Sequence, residues 1–118
     1  MTAAVPRLPL AVVGCDFRIA PSALRSRLVV PEEKVGILAA GLAGQGAADG
    51  LLVLNTCNRN EWIVSAGDPA WAASLLQAQM KTLLGEEARE RTAPYVHLGE
   101  AAARLVDSES DRLEPGRR

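Results

Sequence analysis

Leu51-Leu52-Val53-Leu54-Asn55-Thr56-Cys57-Asn58-Arg59-Asn60-Glu61 is the stretch on which the reading of this chain turns. Four aliphatic residues in a row, with Gly50 before them and a polar cluster after, predict a strand buried on both faces that surfaces abruptly. Glu61–Ala66, Glu-Trp-Ile-Val-Ser-Ala, predicts a second strand antiparallel to the first. Together they form a β-hairpin with Cys57 at its tip. Thr56, Asn58 and Arg59 surround the sulfur with hydroxyl, amide and guanidinium groups, surroundings of a kind that favour the thiolate form. On this pattern alone two readings stay open: an activated nucleophile, or a small half-buried thiol in an ordinary turn, where free cysteine behaves as a compact hydrophobe.

Upstream of the hairpin, Leu8–Gly14 is a valine-rich run read as the first strand, and Cys15–Pro21 as the loop that follows. Pro21 suits the start of a short helix, with Leu24 and Leu28 four apart. Arg25 and Arg27 flank that stripe, either as solvated surface or as an anion contact near the site. Pro31-Glu32-Glu33 opens a second helix, because proline and acids suit a first turn. Val35, Leu38, Ala39 and Leu42 continue it at helical spacing and read as core packing. Gly44, Gly46 and Gly50 then break it. The Gly-Gln-Gly triplet follows a helix rather than a strand, the wrong order for a phosphate-cradling turn.

Downstream, Gly67-Asp68-Pro69 supplies a loop residue, an N-cap and an N1 proline. Ala72, Leu75, Leu76, Met80 and Leu83 give an amphipathic helix ending near Gly85. Trp62 and Trp71 read as packing residues, because no basic and aromatic interleaving surrounds them. Glu86–Thr92 reads as a solvated linker, Ala93–Leu98 as a last short strand, and Gly99-Glu100 as the opening of a helix through Val106. His97 falls at the end of that strand, as a hydrogen-bonded or as a catalytic histidine. Residues 1–107 form one domain and 108–118 a charged, flexible tail. The order β-α-α-β-β-α-β-α predicts an α+β fold: a small, mainly antiparallel sheet with helices packed on one face, ferredoxin-like.

The 118 residues fit a single domain, too short for a catalytic domain plus a separate nucleotide-binding domain. Apolar residues make up 48% of the chain and the formal net charge is -1, which excludes a basic nucleic-acid tail and the low hydrophobicity of disorder. Any polyanion contact must come from a local patch of the 13 Lys and Arg side chains. Cys15 and Cys57 are too far apart for a CxxC motif, and a single histidine leaves no zinc set. No basic n-region precedes an apolar run at the N-terminus, and nothing approaches the length of a membrane span. A cytoplasmic location with reduced thiols is expected.

Leu54–Glu61 resembles the Ser-Thr-Cys-Asn-Arg-Thr-Glu signature of the glutamyl-tRNA reductase family, the first committed enzymes of five-carbon tetrapyrrole (porphyrin) synthesis. Val13-Gly14, with Arg18-Ile19-Ala20-Pro21 and Leu24-Arg25, is similar to the family's Gly-x-Asn-His-Lys-Thr-Ala-Pro stretch. Tyr95-Val96-His97 resembles the segment bearing its active-site histidine, and Ala101–Gly116 a worn version of the helix and Ser-Gly-Leu-Asp-Ser loop that follow. The resemblance spans essentially the whole chain. It implies that the thiolate of Cys57 attacks the ester carbon of glutamyl-tRNA to form a thioester, which NADPH reduces to glutamate 1-semialdehyde in the full enzyme.

The same resemblance implies that Thr56 and Arg59 hold the glutamyl group, with Asn58, Glu61 and Arg18 in the substrate-binding set, and that His97 assists proton transfer at the leaving hydroxyl. No cofactor and no metal is expected on this chain. NADPH would need a nucleotide-binding domain, supplied by a separate reductase subunit, with a homodimer partner equally open and no membrane contact. The chain is then a catalytic-domain fragment or a naturally short homologue. It departs from the family at Phe17 and Ile19, where His and Thr are expected, at Asn60, and in Ser108-Glu109-Ser110-Asp111-Arg112. Two alternatives follow: an aminoacyl-tRNA acyltransferase or hydrolase with altered amino-acid specificity, and a non-catalytic module binding tRNA or a partner protein.

Overall fold

A computed structural model describes residues 9–86 and 93–113 of the protein. The charged stretch 87–92, residues 1–8 and the tail from 114 onward lie outside the described residues. In chain order the elements are β1 (Leu10–Asp16), α1 (Ser22–Arg25) with a 3-10 turn (Ser26–Leu28), α2 (Glu32–Gly44), β2 (Gly50–Asn55), β3 (Arg59–Ser65), α3 (Pro69–Leu84), β4 (Tyr95–Leu98) and α4 (Gly99–Leu113). The four strands form one sheet in the order β2-β3-β1-β4, and all three neighbouring pairs are antiparallel. This is the expected α+β, ferredoxin-like arrangement.

Helix α3 forms where its signals predict. Asp68 accepts a hydrogen bond from the Trp71 amide at 3.1 Å, Pro69 opens the first turn, and Gly85 at φ 94 ends the helix. Its buried stripe of Ala72, Leu76, Met80 and Leu84 has the four-residue spacing of a single helical face. Burying each of the three long side chains stabilises the fold by about 1.5–3 kcal/mol. Arg27, exposed as one of its two readings has it, closes the helix's other end by donating from Nη1 to the Leu84 carbonyl at 2.7 Å.

Several sequence expectations are corrected. The helices do not all lie on one face. Ala11, Val13 and Cys15 of β1 join Trp62, Val64 and the buried faces of α2 and α3 in the main core, while Val12 and Ile63 pack with Ala102 of α4 on the other side. The central strands are β1 and β3, and the aliphatic β2 is an edge strand whose Leu52 is 57% exposed. Strand β1 also runs on through Cys15 and Asp16, which were expected in a loop, because Asp16 pairs with Arg59 and Cys15 with Asn60. Helix α4 likewise continues past Val106 to Leu113. Trp62 is fully buried in the core, but Trp71 stands 42% exposed at the start of α3.

Candidate active site

The turn that carries Cys57 is built by its neighbours. Thr56 Oγ1 accepts from the amides of Asn58 at 3.2 Å and Arg59 at 3.1 Å and donates to the Arg59 carbonyl at 3.3 Å. The Thr56 amide also donates to the Arg59 carbonyl, at 2.8 Å. This local side-chain bonding is what turns Thr-x-Asn-Arg back on itself. Below it, Asn60 Nδ2 donates to Asn55 Oδ1 at 2.9 Å across the base of the hairpin. From outside, the Phe17 amide donates to the Asn58 carbonyl at 2.9 Å, and Arg25 Nη2 donates to the Cys57 carbonyl at 3.2 Å. The result is an exposed thiol on a tethered turn.

On the α4 side of the sheet, Asp16, Arg18, Ile19, Arg59, Tyr95, His97 and Leu105 line a cleft of about 440 Å³, within the ~300–1,000 Å³ of small-molecule sites. Strand register explains the grouping. Val12, Gly14 and Asp16 alternate to this face of β1, opposite Ile63, Glu61 and Arg59 of β3 and, for the first two, His97 and Tyr95 of β4. Gly14 is required here: a Cβ would lie 2.7 Å from Tyr95 Cζ and Oη and 2.8 Å from Glu61 Cγ. The Tyr95 ring occupies that space, and its hydroxyl donates to Glu61 Oε2. The His97 ring packs tilted at 58° against Tyr95, centroids 5.3 Å apart.

The charges of the cleft are largely fixed. Asp16 accepts from the Arg18 amide at 2.9 Å through Oδ1, and from Arg18 Nε at 3.2 Å and Nη2 at 2.7 Å through Oδ2. Those side-chain bonds hold the Asp16 carboxyl below the usual carboxylate range, and the carboxylate raises Arg18 in return. Burial, then the bond to Glu61, pushes the Tyr95 phenol well above its ordinary value and keeps it a donor. Cys15 faces the main core, where burial and then the adjacent Asp16 carboxylate push it up to about 11, against a smaller opposing effect of Arg25.

Of the residues picked out by sequence, Arg18, Arg59 and His97 share the cleft. Glu61 is fully buried beneath Tyr95, and Thr56 is taken up by the turn, so both hold other groups in place. Cys57 and Asn58 stand exposed at the tip, and neither is among the residues lining the cleft. His97 pairs with Val12 and Arg59 with Asp16, which at ~3.3 Å per strand residue sets their backbones about 13 Å apart along β1. A ligand touching both must lie lengthwise. Asp16, Tyr95 and Gly14 were missed, and Arg25 was left between solvated surface and an anion contact. The alternation of β1 would have revealed Gly14 and Asp16 had that strand been carried two residues further.

Fold and site together define an α+β domain that displays a free thiol at one end of its sheet, near a cleft bearing two arginines. The family profile for the N-terminal domain of glutamyl-tRNA(Glu) reductase matches residues 13–106, and the chain belongs to that family. It is 36% identical over 95 residues to the glutamyl-tRNA reductase of Syntrophotalea carbinolica, covering 79% of this chain and 21% of that one. With the enzyme of Deinococcus radiodurans it shares 35% over 105 residues, 82% of this chain and 25% of the other. The chain thus spans about a fifth to a quarter of the length of these relatives. The structure of glutamyl-tRNA reductase from Methanopyrus kandleri superposes with a TM-score of 0.53 over 84% of this chain and 21% of that one; at 17% identity this is a likeness of fold.

Proposed function

We propose that Cys57 is an acyl acceptor for glutamyl-tRNA. The thiolate attacks the carbonyl carbon of the ester between glutamate and the terminal ribose; the C–S bond forms, the C–O bond breaks, and the ribose hydroxyl leaves with a proton. Arg59 is the anchor for the glutamyl carboxylate, since a guanidinium fork matches two carboxylate oxygens. With the aminoacyl end of the tRNA laid lengthwise along the cleft, His97 supplies the proton to the leaving oxygen. Arg18, in the cleft, and Asn58, beside the thiol, complete the substrate-binding set. The observation that carries this reading is the exposure of the Cys57 thiol on a turn tethered two residues from a cleft-lining arginine.

Reduction of the thioester by NADPH calls for a second binding site. A dinucleotide site needs a glycine-rich turn leading from a strand into a helix. Here Gly44 ends α2 and Gly46, at φ 71, leads on towards β2, the reverse order. The described residues do not fit the cofactor, so a separate nucleotide-binding module or subunit would complete the reaction. No helix among the described residues is long and apolar enough to cross a membrane. No group of His, Cys, Asp and Glu among them could hold a metal ion.

Incubation with labelled glutamyl-tRNA followed by intact-mass spectrometry tests the proposal. A glutamyl adduct that disappears in Cys57→Ser is expected; equal deacylation by both proteins, without adduct, overturns it. A second reading keeps the chemistry and changes the amino acid. It is favoured by Ile19 in the cleft wall and by the neutralisation of Arg18 by Asp16, which together leave fewer groups for an acidic side chain. A panel of charged tRNAs decides between them, and strict preference for glutamate removes the second.

A further inference from the structure

We infer that Arg25 is a positioning residue for Cys57: it holds the thiol-bearing turn in place through the Cys57 carbonyl, an inference that rests on the reading of Cys57 as acyl acceptor. Arg25 is only 5% exposed. Its Nε donates to the Ala20 carbonyl at 3.0 Å and its Nη2 to the Cys57 carbonyl at 3.2 Å. One planar guanidinium therefore joins the loop after β1 to the turn after β2, two segments remote in sequence. The bonds of Thr56 lie inside the turn and set its shape. Those from Arg25 and from the Phe17 amide come from outside and set its placement relative to β1 and the cleft. Of these two, only Arg25 acts through a side chain.

Its electrostatics argue against a purely structural role. A buried guanidinium is costly unless an acid lies against it, and an apolar side chain of similar volume often packs there at no loss of stability. The partners found for Arg25 among the described residues are two carbonyl dipoles. A buried charge is thus kept behind the turn where an aliphatic residue would serve packing alone. Holding the Cys57 carbonyl fixes the peptide plane that follows Cα and so the direction of the Cα–Cβ–Sγ arm. Displacing a reacting atom by about 1 Å costs on the order of 100-fold in rate.

The test compares the full chain with Arg25→Met, Arg25→Gln and Arg25→Lys, measuring single-turnover acylation by glutamyl-tRNA against tRNA concentration. Amide exchange of Asn58 and Arg59 and the thermal midpoint are followed alongside. Arg25→Met and Arg25→Gln are expected to slow acylation at saturation by about 10- to 100-fold, with half-saturation changed less than about twofold. Faster exchange at Asn58 and Arg59 should accompany this, with partial rescue by Arg25→Lys. Acylation of Arg25→Met within about twofold of the parent, or a loss that only follows the unfolded fraction, overturns the inference and leaves Cys57 as acceptor intact. Absence of acylation in the parent chain overturns both.

Discussion

Replacing Gly14 by alanine tests how the cleft is built. The new Cβ would stand 2.7 Å from two atoms of the Tyr95 phenol and 2.8 Å from Glu61 Cγ, whereas carbon contacts are favourable at about 3.5–4.0 Å. Neither neighbour is a free end, because Glu61 is fully buried and holds the Tyr95 hydroxyl. Overpacking of this kind costs about 1–3 kcal/mol, and displacing the phenol from a buried carboxylate adds about 1–3 kcal/mol. At about 4 °C per kcal/mol for a domain of this size, the midpoint of thermal unfolding should fall by about 8–24 °C. Circular dichroism melts of Gly14→Ala, Tyr95→Phe and the double variant provide the measurement. Removing the phenol oxygen relieves part of the clash, so the double variant should be more stable than the sum of the singles by about 1 kcal/mol. A fall below about 2 °C, or strict additivity, would refute the packing argument.

The two cysteines should differ in the folded protein: a disulfide reagent should consume Cys57 at once and Cys15 only on unfolding, and equal reactivity would contradict the burial of Cys15. Because Cys15 is raised to about 11 from 9.0, the folded state holds its proton more tightly than the unfolded chain, so this contribution is complete below pH 9.0 and is lost as pH rises towards 11. Urea unfolding at rising pH should therefore show a shallower alkaline loss in Cys15→Ala. Asp16 works in the opposite direction: its carboxyl is lowered from 3.8, so its contribution is present above that pH and is lost as the pH falls through the folded value. Asp16→Asn should remove that part of the acid sensitivity. Asp68→Ala, which deletes the cap on the Trp71 amide, should cost about 1 kcal/mol by chemical denaturation.

The hairpin, α2 and α3 were legible because each is fixed by neighbours in sequence: Gly50 and the polar turn, Pro31-Glu32-Glu33, and Asp68-Pro69. The resemblance at Cys57 and Arg59 was legible for the same reason. Position within the sheet was not. The run Leu51–Leu54 is as continuously apolar as Leu10–Val13, yet β2 lies at the edge and β1 in the middle, because strand neighbours are chosen by pairings between distant segments. Gly14 and Asp16 looked like the end of a strand, since a glycine and an acid are poor strand formers when judged alone. Only the cross-strand partners Tyr95, Glu61 and Arg59 give them a place. Arg25 was read as solvated surface or an anion contact for a related reason: its two acceptors are backbone carbonyls, which no side-chain pattern announces.

Both halves of the candidate site depend on a single alignment. The odd residues of β1 enter the main core, where Cys15 lies within the field of Arg25, and Arg25 reaches the Cys57 carbonyl. The even residues face the cleft, where Gly14 makes room for Tyr95 and Asp16 holds Arg18. A slip of one residue between β1 and β3 would turn either Glu61 into the aliphatic core or Cys15 out to the arginines, according to which strand moves. The pairing Gly14↔Glu61 resists such a slip, because only a residue without a side chain tolerates the phenol that satisfies this carboxylate. The buried Glu61–Tyr95 pair is thus a register lock. Through that register it sets how far the Cys57 turn stands from the cleft, although neither residue lies in the turn.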